Sequence, residues 1–473
     1  MPKHFYLTTT LPYVNAEPHI GFAMEIIAAD VICRAHSLAG ESVVFNTGTD
    51  EHGQKIYQNA IDASTSPQAY CDEYAAKFAV LKDLLSLTYT NFIRTTDAHH
   101  IAAAQEFWKL CKARGDIYKK QYSTQYCVGC ELEKQASDLV EGRCPLHPNK
   151  KLEVRDEENY FFRFSSYQKQ LLTLYESNPE FVLPEGKQKE IHSFVQGGLQ
   201  DFSISRLKEK MPWGISVPDD ADHVMYVWFD ALINYISTIG WPTDKAQFEK
   251  SWPVVQIAGK DNLRQQAAMW QAMLLSAGVS PSQTILINGF ISVDGQKMSK
   301  SLGNVIAPTE LVETFGTEAT RYLLMQLGPI GTDMDVSWDK FRNTYNADLS
   351  NGYGNLCSRI AKLWAMSEPK SGTNLNTVST IAHSQSYFYN YNIKRGIDSW
   401  KTNLSELDGY LSTTTPWKKT GSERQKILKE ALNRLLVLTH TILPVLPKTA
   451  ATVINHFEKS PHTPLAPLFP RIS

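Results

Sequence analysis

The stretch FYLTTTLPYVNAEPHIGFAMEIIAADVICRAHSLAG, residues 5–40, decides the fold. Residues 5–10 are short, β-branched and aromatic and are closed by Pro12, which reads as a buried strand. From Met24 the apolar residues recur at Ile27, Ala28, Val31, Ile32, Ala35 and Leu38, a helical spacing ended by Gly40. Residues 42–46 form a second strand. Strand, helix, strand with polar turns predicts a parallel sheet of the nucleotide-binding kind, whose ligands lie beyond the carboxyl ends of the strands.

The same alternation returns at residues 224–229, 254–257 and 284–287, with a helix over 263–277 between the last two. Residues 116–223 break it with a cysteine cluster and many aromatics, and read as an insertion. From Asn346 strands give way to helical patterns at 346–366, 386–413, 422–441 and about 449–457, with a loop at 370–379. The expected architecture is α/β: a Rossmann-like parallel-sheet catalytic domain (1–115 and 224–345) interrupted by a zinc-binding insertion (116–223, knuckle about 122–150). An all-α helical bundle (346–473) follows. A chain of 473 residues suits two or three cores. A formal net charge of -2 gives no global attraction to nucleic acid, so any RNA contact must be local. No stretch has the apolar length of a membrane span, and the N-terminus lacks the pattern of a secretion signal, so a cytoplasmic protein is expected.

Pro18-His19-Ile20-Gly21-Phe22 falls between the first strand and the first helix. A helix N-terminus there offers free N–H groups and a positive dipole end to a phosphate, and Gly21 permits close approach. Taken alone, His19 reads more readily as a helix cap. Lys297-Met298-Ser299-Lys300-Ser301 follows Asp294-Gly295-Gln296 and can clamp a phosphorus centre as charge moves onto its oxygens. Taken alone, it reads as a solvated basic turn. The absence of a Gly-Lys-Ser/Thr loop argues against a P-loop ATPase. Of 7 cysteines, Cys127 and Cys130 (Cys-x-x-Cys) precede Cys144 and His147 (Cys-x-x-His). Two tight turns with soft ligands suit one tetrahedral structural zinc per chain, with no open coordination position.

The two phosphate motifs, in this order and split by an insertion, resemble the paired signatures of class I aminoacyl-tRNA synthetases. Within that class the chain resembles the methionyl-tRNA synthetases over nearly its whole length. The resemblance rests on residues 8–15 (TTTLPYVN), 47–53 (TGTDEHG), 226–231 (YVWFDA, as a pocket strand) and 259–261 (GKD). It implies methionine activation by Mg2+-ATP and transfer to initiator and elongator tRNA(Met); with no obvious appended dimerisation domain after the bundle, a monomer is expected.

By that resemblance His19, Gly21, Lys297, Ser299 and Lys300 are catalytic. Glu25, Gly259, Asp261 and Met298 join His19, Gly21, Lys297, Ser299 and Lys300 at ATP. Asp50 takes the ammonium of methionine, and Leu11, Tyr13, Trp228, Ala231, Tyr235 and Gln266 surround its side chain. Asn355, Arg359 and Trp417 read anticodon bases by edge hydrogen bonds and stacking. Two positions depart from the family pattern: Phe22 stands where the signature usually has a second His, and Gln266 where many members have His. These departures leave a tRNA-binding relative without catalysis as an alternative. A synthetase for leucine, valine or cysteine is a second one.

Overall fold

The computed structural model describes residues 3–130, 132–134, 138–298, 303–328, 330–366, 386–459 and 463–472. Ser299, Lys300 and the 370–379 loop lie outside these residues.

Six parallel strands form the central sheet: β1 (His4–Thr9), β2 (Ser42–Thr49), β3 (Asn91–Arg94), β4 (Val182–Leu183), β5 (Val255–Gly259) and β6 (Thr284–Asn288). Their spatial order is β3-β2-β1-β5-β6-β4. β1 pairs with β2 on one side (Leu7 opposite Phe45) and with β5 on the other (Leu7 opposite Val255). The chain order reverses between β1 and β5, so a crevice opens at their carboxyl ends. Leu7, Phe45, Val255, Ile257 and Leu286 are buried, as a sheet covered on both faces requires.

The Ile20–Leu38 helix begins four residues before Met24, because His19 serves as its N-cap. It packs against β1 and β2, and it is buried over most of its circumference.

Two expectations are corrected. Residues 224–229 are not a strand of the central sheet. The strand Asp220–Met225 is antiparallel in a separate three-stranded sheet, and Val227–Ala231 is a short helix after an extended Tyr226. Packing explains this: Trp228, Ala231, Leu232 and Tyr235 must all face one cavity, and spacings of 3, 4 and 7 are helical. Second, residues 386–413 are not one helix. The long helix is Ile393–Thr414, begun by the Asn392 side chain accepting from Arg395 N, after a left-handed Tyr391 (φ 64°).

Inside the 116–223 segment, a four-stranded antiparallel sheet is built on Ile117–Cys127 paired with Glu153–Phe162. The same segment returns β4 to the edge of the central sheet, opposite Ile285 and Leu286. The C-terminal region is helical: Trp338–Thr344, a wide π stretch Tyr345–Gly354, then Asn355–Ala365, Ile393–Thr414, Gly421–Ile442 and Pro447–Lys459. It is joined to the sheet region through Arg321 of the Thr317–Leu327 helix, which forms a buried ion pair with Asp30 at 2.7 Å. The Arg321 guanidinium also donates to the carbonyls of Pro444, Val445 and Leu85. Among the described residues no helix is long and apolar enough to cross a membrane.

Candidate active site

A cavity of about 660 Å³ sits at the carboxyl ends of β1 and β5. His19, Gly21 and Glu25 line it from the first helix, and Lys297 and Met298 from the distant lysine motif. A side-chain carbon placed on Gly21 would lie 3.8 Å from Met298 Cε, so the two signatures lie side by side. Ile20 N also donates to Ile306 O at 3.1 Å, tying the helix start to the chain beyond the lysine loop.

His19 caps the helix and also faces the cavity. Its Nδ1 accepts from Gly21 N at 3.0 Å, capping the helix. A side chain at 21 would meet the imidazole at 2.8 Å, so glycine there is what lets the ring fold back. With Nδ1 accepting, a neutral ring carries its proton on Nε2. The ring opens on the cavity, yet the surrounding protein displaces enough water to hold its pKa below the ordinary imidazole value. A neutral Nε2–H donor results. Phe22 donates nothing and packs edge-on against Phe78, ring centres 5.4 Å apart.

Glu25 lines the cavity and is buried. Its Oε1 accepts from Thr10 N at 2.9 Å and Thr10 Oγ1 at 2.6 Å, locking the helix to the end of β1. Burial pushes its pKa up to about 8; the Thr10 bonds oppose the rise and the Asp261 carboxylate adds to it. A carboxyl whose native pKa lies above its unfolded value stabilises most below about pH 4.5, and that contribution is lost as pH rises to about 8. Glu25→Gln keeps the acceptor and removes the titration. The variant's thermal midpoint, relative to the unaltered protein, should therefore rise steadily between those pH values in calorimetry. A constant difference across that range contradicts the assignment.

Opposite these groups, Tyr13 and Asp50 form a parallel bridge, with Asp50 N donating to Pro12 O and Val14 N to Asp50 O. The bridge holds the Asp50 carboxylate beside Leu11, Tyr13 and Trp228 in the cavity wall. Ala231, Tyr235 and Gln266 complete an apolar end with a few polar atoms. Gln266 sits on a π turn, Gln265–Met269, that displaces the residues read as part of a regular helix. Gly259 and Asp261 close the β5 side; a side chain at 259 would lie 2.7 Å from Asp261 Oδ1.

Cys127, Cys130, Cys144 and His147 present ligand atoms all within 4.8 Å of one another. Cys130 Sγ is 3.2 Å from His147 Nδ1 and 3.4 Å from Cys144 Sγ. Three sulfurs and a ring nitrogen facing one point are a donor set that fits a tetrahedral metal ion. Gly129 is required, since a side chain there would meet the His147 ring at 2.5 Å. Gly129 and Cys130 also line the cavity, so the knuckle reaches its mouth.

The family described as "tRNA synthetases class I (M)" matches residues 5–151 and 129–361. The chain belongs to the methionyl-tRNA synthetase family. A methionine–tRNA ligase of Nostoc is 39% identical over 98% of this chain and 93% of its own length. That of Thermosynechococcus vestitus is 47% identical over 78% of this chain and 71% of its own. A solved methionyl-tRNA synthetase of Mycobacterium tuberculosis, in complex with methionyl-adenylate, superposes with a TM-score of 0.89 at 34% identity. That comparison covers 100% of this chain and 99% of that one.

The sequence reading missed several residues that shape this synthetase site. Asp230 is wholly buried between two histidines, 2.7 Å from His52 Nδ1 and 2.8 Å from His100 Nε2, and anchors the short helix carrying Trp228. Lys55, Asn15, Asn234 and Phe290 also line the cavity. Asn15 and Asp230 fall in stretches quoted above without a role of their own, and the partners of Asp230 lie more than a hundred residues away in the chain.

Away from the cavity, Arg359 lies over the Trp417 ring, 5.8 Å from its centre, and pairs with Asp408. Asn355 is exposed one turn before Arg359 on the same helix. Trp417 is 46% exposed, an unusual cost for an indole that serves no contact.

Proposed function

We propose that the chain activates methionine with Mg2+-ATP to methionyl-adenylate and pyrophosphate, and then transfers methionyl to the 3′-terminal adenosine of initiator and elongator tRNA(Met). The observation that carries this reading is one cavity at the sheet's switch point, walled by His19, Asp50, Trp228, Tyr235, Asp261 and Lys297 together. In the first step a methionine carboxylate oxygen attacks the α-phosphorus; the bond to the bridging oxygen breaks, and pyrophosphate leaves with that electron pair. The carboxylate is already a nucleophile, so no general base is needed. Asp50 holds the ammonium, Leu11, Tyr13, Trp228, Ala231, Tyr235 and Gln266 enclose the thioether, and Gly259 and Asp261 hold the ribose. Glu25 keeps the β1 end in register beneath the nucleotide. The His19 Nε2–H and Lys297 ammonium, with Gly21, Met298, Ser299 and Lys300 of the two signatures, meet the phosphate charge as it grows. In-line positioning supplies much of the rate.

In this reading residues 1–115 and 224–345, with β4, form the catalytic unit, and the rest of 116–223 is the connective insertion. Residues 346–473 bind the anticodon through Asn355, Arg359 and Trp417. Cys127, Cys130, Cys144 and His147 would hold a structural zinc whose bonds supply the folding energy that a short two-turn knuckle lacks. The enzyme works as a monomer in the cytoplasm.

Amino-acid-dependent exchange of labelled pyrophosphate into ATP tests the first step. Methionine should drive it. Exchange driven by leucine, valine or cysteine instead, or by nothing in folded, metal-replete protein, overturns the reading. Trp417→Ala is expected to lower tRNA charging by about 10- to 100-fold, the loss of one stacked base, while leaving exchange untouched. Equal charging by the two proteins at limiting tRNA contradicts the anticodon role.

A further inference from the structure

One buried carboxylate lies behind the cavity wall and joins three of the segments that build its amino-acid end. Asp230 Oδ2 accepts from His52 Nδ1 at 2.7 Å, and Oδ1 accepts from His100 Nε2 at 2.8 Å. The remaining ring nitrogen of His100, Nδ1, is 3.0 Å from Ser237 Oγ. All four side chains are buried, and Asp230 is not among the residues that line the cavity. Burial alone would raise the Asp230 carboxyl; the two imidazoles outweigh it and hold its pKa below the ordinary carboxylate value. Each of its oxygens is thus engaged by one donor.

Each end of this chain of bonds sits beside a cavity residue. His52 is two residues beyond Asp50, in a turn whose other side is fixed by Trp213. The Trp213 Nε1 donates to Glu51 O at 2.6 Å, and Gly53 N donates to Trp213 O at 3.2 Å. Asp230 itself lies between Trp228 and Ala231 in the Val227–Ala231 helix. Ser237 closes the Asn234–Ser237 helix, two residues after Tyr235. Asp50, Trp228, Ala231 and Tyr235 all line the cavity.

We propose that Asp230 is a positioning residue that fixes the separation between the ammonium site at Asp50 and the aromatic wall at Trp228 and Tyr235. It acts through His52 on one side and through His100 and Ser237 on the other. This rests on the function proposed above and concerns how the amino-acid site measures its substrate. A ligand with both an ammonium and a thioether gains from both ends only where their separation is held to match it. A ligand with the thioether alone follows the wall wherever the wall lies.

The test compares two competitive inhibitors of methionine-dependent pyrophosphate exchange. Methioninol carries the ammonium and the thioether; 4-(methylthio)butan-1-ol lacks the ammonium. The ratio of their inhibition constants measures what the ammonium adds to a ligand already held by its side chain. In Asp230→Asn an amide donor replaces one acceptor oxygen and opposes the N–H of one histidine. The ratio should fall about 10- to 100-fold, the weight of one hydrogen bond to a charged group, while the desamino alcohol binds nearly as before. Ser237→Ala leaves the carboxylate in place and should lower the ratio about two- to tenfold, the weight of one neutral hydrogen bond. It decides the matter alone if Asp230→Asn does not fold. Equal weakening of both alcohols overturns the proposal, because a merely structural role loosens the pocket for both. So does a ratio that Ser237→Ala leaves unchanged. Failure of methioninol to inhibit the unaltered protein, or of methionine to drive its exchange, defeats the underlying function as well.

Discussion

His19→Asn is expected to leave the protein folded and to slow adenylate formation by about 10²- to 10³-fold, the loss of one donor aimed at transition-state charge. The substitution separates the cap that His19 forms from the phosphate contact proposed for it. Asn is among the best N-cap residues, and its side-chain oxygen can accept from Gly21 N as the imidazole Nδ1 does. What changes is the donor facing the cavity: the Nε2–H of the His19 ring is lost, and the shorter Asn amide cannot place its N–H2 group at the same point. Thermal melting should therefore shift little while the single-turnover rate of adenylate formation collapses. If the rate survives, His19 is a cap and nothing more. If both fall together, the cap is the larger part of its role. The absence of a second imidazole at Phe22 sharpens the expectation, since no other histidine lines this cavity among the described residues.

Asp50→Asn should raise the methionine KM and lower kcat/KM for methionine by about 10²- to 10³-fold while leaving the ATP KM nearly unchanged. The reason is charge: the substrate ammonium enters a half-buried site, and truncating one partner of such a pair costs about 2–5 kcal/mol. The side chain keeps its shape, and the backbone bonds of Asp50 to Pro12 and Val14 are made by main-chain atoms. The bridge to Tyr13 therefore survives. Steady-state exchange at varied methionine gives the answer, and an unchanged methionine KM removes Asp50 from the ammonium site.

The residues whose placement is legible in the sequence are those whose signal is local. Gly21 follows His19 by two positions, and the cysteine turns announce their own geometry. The β1-helix-β2 unit follows from period and punctuation alone. What was hidden depends on distant partners. Residues 226–231 resemble a strand because they are apolar and aromatic, although Trp228, Ala231 and Tyr235 carry helical spacing. β4 is two residues long, too short to show a pattern, and its pairing with β6 is set by the sheet. Asp230 and Gln256 look like ordinary polar residues in apolar surroundings; only the fold brings His52 and His100 to one and Gln266 and Ser282 to the other. The break before Ile393 was invisible because a left-handed Tyr391 is a tertiary outcome, not a propensity.

The central claim is that the N-terminal histidine motif and the distant lysine motif serve one phosphate within a single cavity. A structure of the protein incubated with methionine, ATP and pyrophosphatase tests it most directly. The account predicts methionyl-adenylate with its ammonium at Asp50, its side chain between Tyr13, Trp228 and Tyr235, and its phosphate within hydrogen-bond reach of His19 Nε2. Adenylate bound with its phosphate turned away from both His19 and Lys297, or bound outside this cavity, would contradict it.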